Sequence, residues 1–481
     1  MSAVRIPSLV LFLLLFLGVL IFSTDQSPQE IGTGFPRAIS EISIDGASGD
    51  VWFCLGPTAE SEEIDDRILI LTNDTDTDIE GRVTVSDDIG RDVERNFLVA
   101  AKSQLEIRPG QSVPGAVWAG VTVEVPKGKL FVEDQISGLG VDIGPCATST
   151  SSQWQIPWAT TSRPGSKAYL LLYNPFQAPA VADLRFIGDI GRRETLDSQG
   201  VVVAGRSIAV FDLTNRIADS TVVSASVDAR VGQLIVSRFQ SIDGNAPVPL
   251  KGIDLNYGSH RIGSRLFFPG VSVSPGDALS VVVVNPGENY VEAEVVIRPM
   301  NPVGFVEPHR LVLRSRQRQI VDFSPDLFER IGPYGLEVHS LDGQSLAASL
   351  IYSADFGDDE SIAYLGFTTR SAVDIGATTW HLRFNNDPEA ERILEVMNLS
   401  SETITNVEFF DVSGELIPGL PRILEIQSMG RFFLAIPNVL DSTVVVKASA
   451  PVIASFYRVG SDGRFAVDGV SVSGTSTYPS S

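Results

Sequence analysis

The feature of this chain that most constrains its fold is a short run of β-forming residues that ends in asparagine and recurs four times. The asparagines are Asn73, Asn174, Asn285 and Asn398, at intervals of 101, 111 and 113 residues. Each interval is about one small domain long. A turn and then an alternating strand follow the asparagine, so the similarity extends beyond a single short motif. The sequence therefore predicts a tandem array of one β-domain.

The spacing of turn residues within each repeat favours a particular β-architecture. The 481 residues include 42 Gly and 28 Pro, and clusters of turn residues separate runs rich in Val, Ile and Thr at intervals of roughly 8 to 12 residues. About seven short strands per repeat is typical of an immunoglobulin-like β-sandwich. We therefore predict an all-β fold, a tandem array of four immunoglobulin-like β-sandwich domains after one N-terminal transmembrane helix.

The strand order within a repeat is harder to predict. The last two strands of each repeat resemble a hairpin, most clearly in the segments 444–449 and 452–456, which flank Ala450 and Pro451. The asparagine is expected to end its strand and to bond its own backbone in the turn, because a short amide side chain stabilises such turns.

Composition also predicts the domain boundaries. A polar segment with scattered Gly and Pro is suited to a stalk, and a tail without aliphatic residues has nothing to bury. Because sandwich domains bury their own cores and the linkers are short, we expect an extended array. The predicted parts are a cytosolic stub (1–5), a transmembrane signal anchor (6–22), a stalk (23–45), four sandwiches (46–149, 150–262, 263–375 and 376–472) and a disordered tail (473–481).

The N-terminal segment from Ile6 to Phe22 is almost entirely apolar. Its length is roughly 25 Å as a helix, which is short for the ~30 Å core of a bilayer but within the observed range. No small-residue cleavage site follows Phe22, which favours an uncleaved anchor over a cleaved signal peptide. A mature chain that starts near Thr24 would indicate the cleaved alternative. The basic residue Arg5 before the segment predicts a single-pass cell-membrane protein with the bulk of the chain extracytoplasmic.

Cys54 and Cys146 are the only cysteines, and both fall in the first repeat. In an exported protein, two cysteines in one domain predict a disulfide. A closed loop of about 90 residues would stabilise the domain by roughly 4 kcal/mol on the loop-entropy model. Metal binding is disfavoured because neither cysteine has a second cysteine or a histidine at ligand spacing.

The net charge limits the possible partners. With 36 basic and 59 acidic residues, the formal charge is −23. Nucleic acids and anionic lipid headgroups bind through a cationic surface, which this composition argues against. The expected partners are an unknown envelope protein or a cell-wall glycan, and the membrane through the N-terminal helix, with no nucleic acid.

No motif in the chain predicts catalysis or cofactor binding. The four histidines, His260, His309, His339 and His381, are scattered without metal-ligand spacing. The segment Gly270–Ser274 approaches the nucleophile motif of serine hydrolases but lacks its second glycine. No glycine-rich nucleotide loop is present. We therefore predict that the protein is not an enzyme and that it has no catalytic residues, no cofactor and no metal.

One acidic segment leaves two interpretations open. Asp74, Asp76 and Asp78 alternate with polar residues, and alternate carboxylates can point at one calcium ion. An EF-hand loop would need glycine at Ile79 and glutamate at Val85, so that motif is absent. The segment also follows the first asparagine, where the other repeats carry ordinary turns. It is either a solvated turn or a weak calcium site.

Several short motifs in the first two repeats resemble those of a known family. They are Trp52–Gly56, Pro145–Cys146, Trp154, Leu172–Pro175 and Val181. Together they resemble an actinobacterial family of uncharacterised exported proteins, a domain of unknown function with a Trp-aromatic-Cys-Pro-Gly opening. This chain has Leu55 at the proline position of that opening. The resemblance implies a cell-envelope location and no established activity.

These observations together predict a class of function. We expect a non-enzymatic, membrane-anchored cell-envelope protein that acts as an extracytoplasmic scaffold, spacer or adhesion module, with sandwich edges available to partners. The alternative is a cell-wall carbohydrate-binding module that uses exposed aromatic residues and carboxylates.

Overall fold

Strands make up nearly all of the regular structure. The computed structural model describes residues 50–248, 250–271, 278–299, 306–323, 334–354, 365–374, 376–383, 391–400, 402–428, 430–436, 443–460, 463–468 and 470–473. These residues belong to one compact unit, which spans Ile42–Ser481. The predicted stub, transmembrane segment and stalk, and the tail after Ser473, lie outside them. Within the described ranges, no helix is long and apolar enough to cross a membrane.

The first repeat consists of eight strands in two sheets. They are β1 (Asp50–Pro57), β2 (Ile64–Asn73), β3 (Ile79–Asp87), β4 (Asp92–Val99), β5 (Ser103–Ile107), β6 (Trp118–Val125), β7 (Phe131–Gly138) and β8 (Val141–Pro145). One sheet has the order β1-β6-β3-β4 and the other β5-β2-β7-β8. Trp52 and Val123 of the first sheet share a core with Leu71 and Phe131 of the second. The two sheets therefore pack face to face.

The second repeat has the same arrangement, except that its fourth strand is divided into β12 and β13, which both pair with β11. Its sheets have the orders β9-β15-β11-β12 and β14-β10-β16-β17. The strands are β9 (Gln153–Ile156), β10 (Ser166–Asn174), β11 (Ala180–Gly188), β12 (Gly191–Arg193), β13 (Val201–Val203), β14 (Ser207–Asp212), β15 (Ser224–Val231), β16 (Ile235–Asp243) and β17 (Leu250–Tyr257).

The third repeat again has the orders β18-β23-β20-β21 and β22-β19-β24-β25. Its strands are β18 (Arg265–Val271), β19 (Ala278–Val284), β20 (Val291–Pro299), β21 (His309–Leu313), β22 (Arg318–Phe323), β23 (Tyr334–Ser340), β24 (Ala347–Ala354) and β25 (Leu365–Ser371).

In the fourth repeat, the sixth and seventh strands are fused into one long strand, β31. Its first half pairs with β26 and β28, and its second half pairs with β27 and β32. The strands are β26 (Ala377–Arg383), β27 (Glu391–Asn398), β28 (Ile404–Phe410), β29 (Leu424–Ile426), β30 (Arg431–Ala435), β31 (Thr443–Gly460), β32 (Gly463–Asp468) and β33 (Val470–Ser473).

The all-β prediction is confirmed, because helical structure in the described ranges is confined to short turns at Pro109–Ser112, Leu196–Ser198 and Leu213–Arg216. The predicted hairpin of the last two strands is wrong. Those strands, such as β6 and β7, lie in opposite sheets. Around Pro451 the chain continues as the single strand β31, which changes its partners there from β26 and β28 to β27 and β32, so the segment contains no hairpin turn.

The four asparagine side chains form the same set of hydrogen bonds. All four are fully buried. Each Nδ2 donates to the carbonyl four residues later at 2.7 to 2.8 Å, and each Oδ1 accepts from the backbone amide two residues later at 2.8 to 3.1 Å. Nδ2 also donates to the carbonyl of Val99, Val203, Leu313 or Ile426. The predicted role of the asparagine in its turn is confirmed.

The predicted disulfide between Cys54 and Cys146 is present and closes a sequence separation of 92 residues. Cys54 lies on β1, and Cys146 follows β8 of the opposite sheet. Backbone hydrogen bonds between Phe53 and Ala147 run beside the bond, at 2.8 and 2.9 Å. The disulfide therefore ties the first strand of the repeat to its last.

Contacts between repeats contradict the expected extended array. Strands β17 and β25 pair in parallel and join repeats 2 and 3 in one eight-stranded sheet. Repeats 1 and 4, the most distant in sequence, are also in contact. The Nε2 of Gln104 donates to the Oγ1 of Thr443 at 3.0 Å, and the rings of Phe131 and His381 stack with centroids 3.4 Å apart. Each repeat buries polar and aromatic side chains against other repeats, so the repeats are not structurally independent.

Candidate functional site

A cleft of about 700 Å³ lies between repeats 1 and 2. Repeat 1 contributes the turn before β2 and the turn after β7, and repeat 2 contributes the start of β10, the end of β14 and the end of β16. The lining residues include five carboxylates, two cations and one aromatic ring: Glu62, Glu63, Asp65, Asp212, Asp243, Arg163, Lys167 and Tyr169. We refer to this feature as the repeat 1–2 cleft.

Lys167 crosses the repeat 1–2 cleft. Its Nζ lies 3.1 Å from Glu62 Oε2 and 2.5 Å from Glu63 Oε1. The hydrogen bond to Glu63 raises the pKa of Lys167 above its ordinary value. Burial alone would raise the pKa of Glu63, but hydrogen bonds from Lys167 and Ser61 outweigh burial and lower it. Lys167 and Glu63 are therefore both charged at neutral pH.

Local backbone geometry shapes the repeat 2 wall of the cleft. Gly165 has a φ of +89°, and a Cβ there would lie 2.2 Å from Asp243 Oδ1, so only glycine fits. Asp212 caps the helical turn Leu213–Arg216 by accepting a hydrogen bond from the Asn215 amide at 3.0 Å. The guanidinium of Arg163 donates to the Asn215 side chain at 2.7 Å.

An aromatic group supports the floor of the cleft. Tyr169 is partly buried and packs against Trp118, with ring centroids 5.0 Å apart. Trp118 packs in turn edge-on against Phe239 at 5.8 Å. The tyrosine ring is therefore held in a fixed position by the core.

A second group of polar residues is buried between the repeats. Arg238 of repeat 2 forms an ion pair with Asp254 and donates to Thr369 of repeat 3 at 2.8 Å. The Thr369 amide donates to Asp254 at 2.7 Å. From repeat 1, Asp142 accepts a hydrogen bond from the Leu255 amide at 2.6 Å. Three repeats therefore meet at this buried polar group.

Burial shifts the pKa values of two side chains in this buried cluster. It raises the pKa of Asp142 to about 7, against the hydrogen bond from Leu255 and the charge of Arg238, and it lowers the pKa of Arg238 to about 9. These side chains are buried, and none of them lines the repeat 1–2 cleft. Its geometry is that of a structural contact, because the polar atoms bind one another across the junction.

Repeats 3 and 4 meet at another buried ion pair. Arg370 donates to Glu395 at 3.2 Å and to the carbonyl of Phe456 at 3.0 Å, and Ser455 donates to Glu395 at 2.9 Å. Burial raises the pKa of Glu395 to about 7, against the charge of Arg370. The side chain of Glu395 therefore connects the last strand of repeat 3 to repeat 4.

The four histidines do not converge on a common site. Each packs against a different neighbour: His260 against Trp154, His309 against Phe323, His339 beside Glu294 and His381 against Phe131. Burial lowers the pKa of His260 to about 4 and that of His381 well below its ordinary value, so both rings are neutral at pH 7. Of the serine-rich segment Gly270–Ser274, residues 272–274 lie outside the described residues.

The carboxylates of the acidic turn point to different partners. Asp76 lies 3.4 Å from the Nζ of Lys102, and Asp78 accepts a hydrogen bond from a backbone amide at 2.9 Å. Asp74 faces His381, with 3.6 Å between its Oδ2 and Nε2. Across the described part of the chain, no three His, Cys, Asp or Glu side chains are grouped so as to hold a metal ion. The three carboxylates therefore have separate partners in this structure, and both interpretations of the segment stay predictions.

The sequence does not predict the repeat 1–2 cleft. Its residues come from segments more than 100 positions apart, such as Glu63 and Lys167. The nearest local signal is the pair of turn segments 61–65 and 163–167, which carry opposite charges. Such segments are common on protein surfaces, so the sequence does not show that these two face each other.

The fold and the buried contacts define an all-β repeat protein whose repeats are joined by polar interfaces. The chain belongs to a family of unknown function, DUF5719, whose model matches residues 132–415, more than half of the chain. The Trp-aromatic-Cys motif at residues 52–54 lies before the matched region. No curated protein is similar enough to this chain to count as a match.

Two solved structures show distant similarity. One is the crystal structure of Thermotoga maritima 1070, with 12% identity and a TM-score of 0.19, covering 23% of this chain and 92% of that chain. The other is a tetra-tandem repeat in the extending region of a large adhesion protein, with 11% identity and a TM-score of 0.11, covering 88% of this chain and 98% of that chain. Neither similarity is close enough to carry an inference about fold or function.

Proposed function

We propose that this protein is a non-enzymatic, membrane-anchored scaffold of the cell envelope, built from four immunoglobulin-like β-sandwich domains that lie outside the cytoplasm. The observation that carries the proposal is the set of polar contacts between repeats. Arg238 with Thr369, and Arg370 with Glu395, join repeats across buried interfaces. A protein that holds its domains in fixed positions presents its surface as one rigid platform.

The disulfide supports the extracytoplasmic location. Disulfides form and persist in oxidising compartments, and the Cys54–Cys146 bond is buried in the first repeat. That repeat directly follows the proposed stalk, so the bond stabilises the domain nearest the membrane. Spacer and adhesion roles are forms of the same proposal, since each uses the surface of the array.

The scaffold role is tested by affinity purification of the full-length tagged chain from detergent-solubilised envelope. The proposal expects one or a few envelope proteins to co-purify at a constant ratio. The control is a fusion of residues 1–45 to an unrelated domain. Proteins that this fusion also retains recognise only the anchor and stalk, and they are not counted as partners. If the full chain and the control retain the same proteins, the scaffold proposal is wrong.

The membrane anchor is tested by extraction and N-terminal sequencing of the mature protein. An uncleaved anchor predicts that the protein stays in the membrane after an alkaline carbonate wash and keeps its N-terminus. A mature N-terminus near Thr24 would instead assign residues 6–22 to a cleaved signal peptide, and the protein would not be membrane-anchored by that segment.

A further inference from the structure

We infer that the repeat 1–2 cleft binds a saccharide that carries free amino groups. This inference goes beyond the scaffold role and can fail while that role stands. A volume of about 700 Å³ is within the range of small-ligand sites, roughly 300 to 1,000 Å³. The cleft also lies at the junction of two repeats, where ligand sites often occur.

The charges that line the cleft are unbalanced. Five carboxylates face two cations, Arg163 and Lys167. Lys167 is already paired with Glu62 and Glu63. The other three carboxylates, Asp65, Asp212 and Asp243, have no Lys or Arg partner within ion-pair distance in the described part of the chain. A concave site with excess negative charge attracts cations and disfavours anionic sugars.

The contacts of Lys167 indicate which kind of cation the repeat 1–2 cleft binds. Its primary ammonium reaches across the cleft and binds two carboxylates at 3.1 and 2.5 Å. Charge-assisted hydrogen bonds of this kind are among the stronger polar contacts in proteins. An amino group on a ligand has the same chemistry and would find Asp65 and Asp243 available in the same cleft.

The aromatic floor favours a ring-shaped ligand over a linear amine. Tyr169 lines the cleft and is fixed by its packing on Trp118 at 5.0 Å. A tyrosine ring offers an apolar face for the C–H surface of a sugar and also attracts a nearby cation.

Isothermal titration calorimetry of the full-length chain in mild detergent tests the inference. The probes are the trimer of glucosamine, the trimer of N-acetylglucosamine, and spermidine as a linear polyamine. We expect saturable binding of the glucosamine trimer, at least about tenfold tighter than either other probe. Its affinity should fall as salt increases, because the carboxylates contribute charge.

Two variants locate the site. The pair Asp65→Asn and Asp243→Asn removes two cleft charges and keeps a side-chain acceptor for the Asn245 amide, which donates to Asp243 at 2.8 Å. It should weaken binding of the glucosamine trimer about tenfold. The matched control, Glu307→Gln with Glu425→Gln, neutralises two exposed carboxylates in repeats 3 and 4 and should change affinity less than about twofold.

The melting temperature of each variant is measured first, so that loss of binding is not confused with loss of fold. If the cleft variant is unstable, the salt dependence and the ranking of the three probes with the unmodified chain still decide the question. No saturable binding of the glucosamine trimer overturns the inference. So does equal affinity for the acetylated trimer or for spermidine, or full affinity in a well-folded cleft variant.

Discussion

At the scale of single residues, one buried amide is used four times for the same purpose. Asn73, Asn174, Asn285 and Asn398 each end the second strand of a repeat and bond carbonyls on two sides of a turn. A buried carbonyl left without a donor raises the free energy of the folded state. The asparagine side chain therefore stabilises this turn in each repeat.

Replacing one of these asparagines should destabilise its repeat. Asn174→Ala removes the donor to the carbonyls of Ala178 and Val203 and the acceptor for the Phe176 amide. We expect a loss of about 2 to 4 kcal/mol in the free energy of unfolding, measured by urea denaturation.

The matched control for this substitution is Asn245→Ala, at an exposed turn position. It should change stability by less than about 0.5 kcal/mol. Equal effects of the two substitutions would show that the buried amide is not a specific requirement of the turn.

The buried carboxyl of Asp142 should give stability a defined dependence on pH. Burial raises its pKa from 3.8 to about 7. Between about pH 4 and pH 7 the folded protein keeps a proton that the unfolded chain has lost, so this group's contribution is full below pH 4 and falls as pH rises to 7. Asp142→Asn keeps an acceptor for the Leu255 amide and removes the titration.

The measurement is the free energy of unfolding at several pH values for the unmodified protein and for Asp142→Asn. The difference between the two curves isolates Asp142 from other groups. It should shift in favour of the variant as pH rises from 4 to 7, because the folded protein loses the contribution of the protonated carboxyl over this range. A flat difference for Asp142→Asn would show that burial does not raise the pKa of Asp142.

At the scale of strands, local patterns were predictable and sheet membership was not. The all-β class, the asparagine turns and the cysteine pair follow from short-range alternation, turn chemistry and composition. The strand pair β6 and β7 looked like a hairpin because the strands are consecutive and similar in length. Alternation shows which residues of a strand are buried, but it does not show which of two facing sheets the strand joins.

The disulfide should stabilise the first repeat by joining its first and last strands. Reduction should lower the free energy of unfolding of that repeat by up to roughly 4 kcal/mol, because the open chain gains entropy. The measurement is thermal unfolding with and without reductant.

The control for reduction is the double variant Cys54→Ala and Cys146→Ala, which should unfold alike with and without reductant. Because both sulfurs are buried, reduction is carried out after brief unfolding and before refolding. An unchanged melting curve for reduced unmodified protein would show that the bond adds no stability.

At the scale of the whole molecule, the contacts between repeats set the arrangement. Sandwich domains that bury their own cores are self-contained, so the sequence predicts an extended array. The parallel pairing of β17 with β25, the stacking of Phe131 on His381 and the repeat 1–2 cleft all join residues far apart in sequence. A single sequence contains no local signal for such pairs, because each side chain is ordinary within its own strand.

Amine cross-linking of the full-length protein, followed by mass spectrometry, tests whether the repeats form one joined scaffold. The Nζ of Lys102 in repeat 1 donates to the backbone carbonyl of Asp74 at 2.7 Å. Burial raises the pKa of the Asp74 carboxyl, against the nearby charges of Lys447 in repeat 4 and Lys102. If the repeats are joined, we expect an intramolecular cross-link between Lys102 and Lys447 at high dilution. An extended array would place these lysines several domains apart. Absence of this link, while Lys102 and Lys447 each react with the reagent, would show that repeats 1 and 4 are not joined.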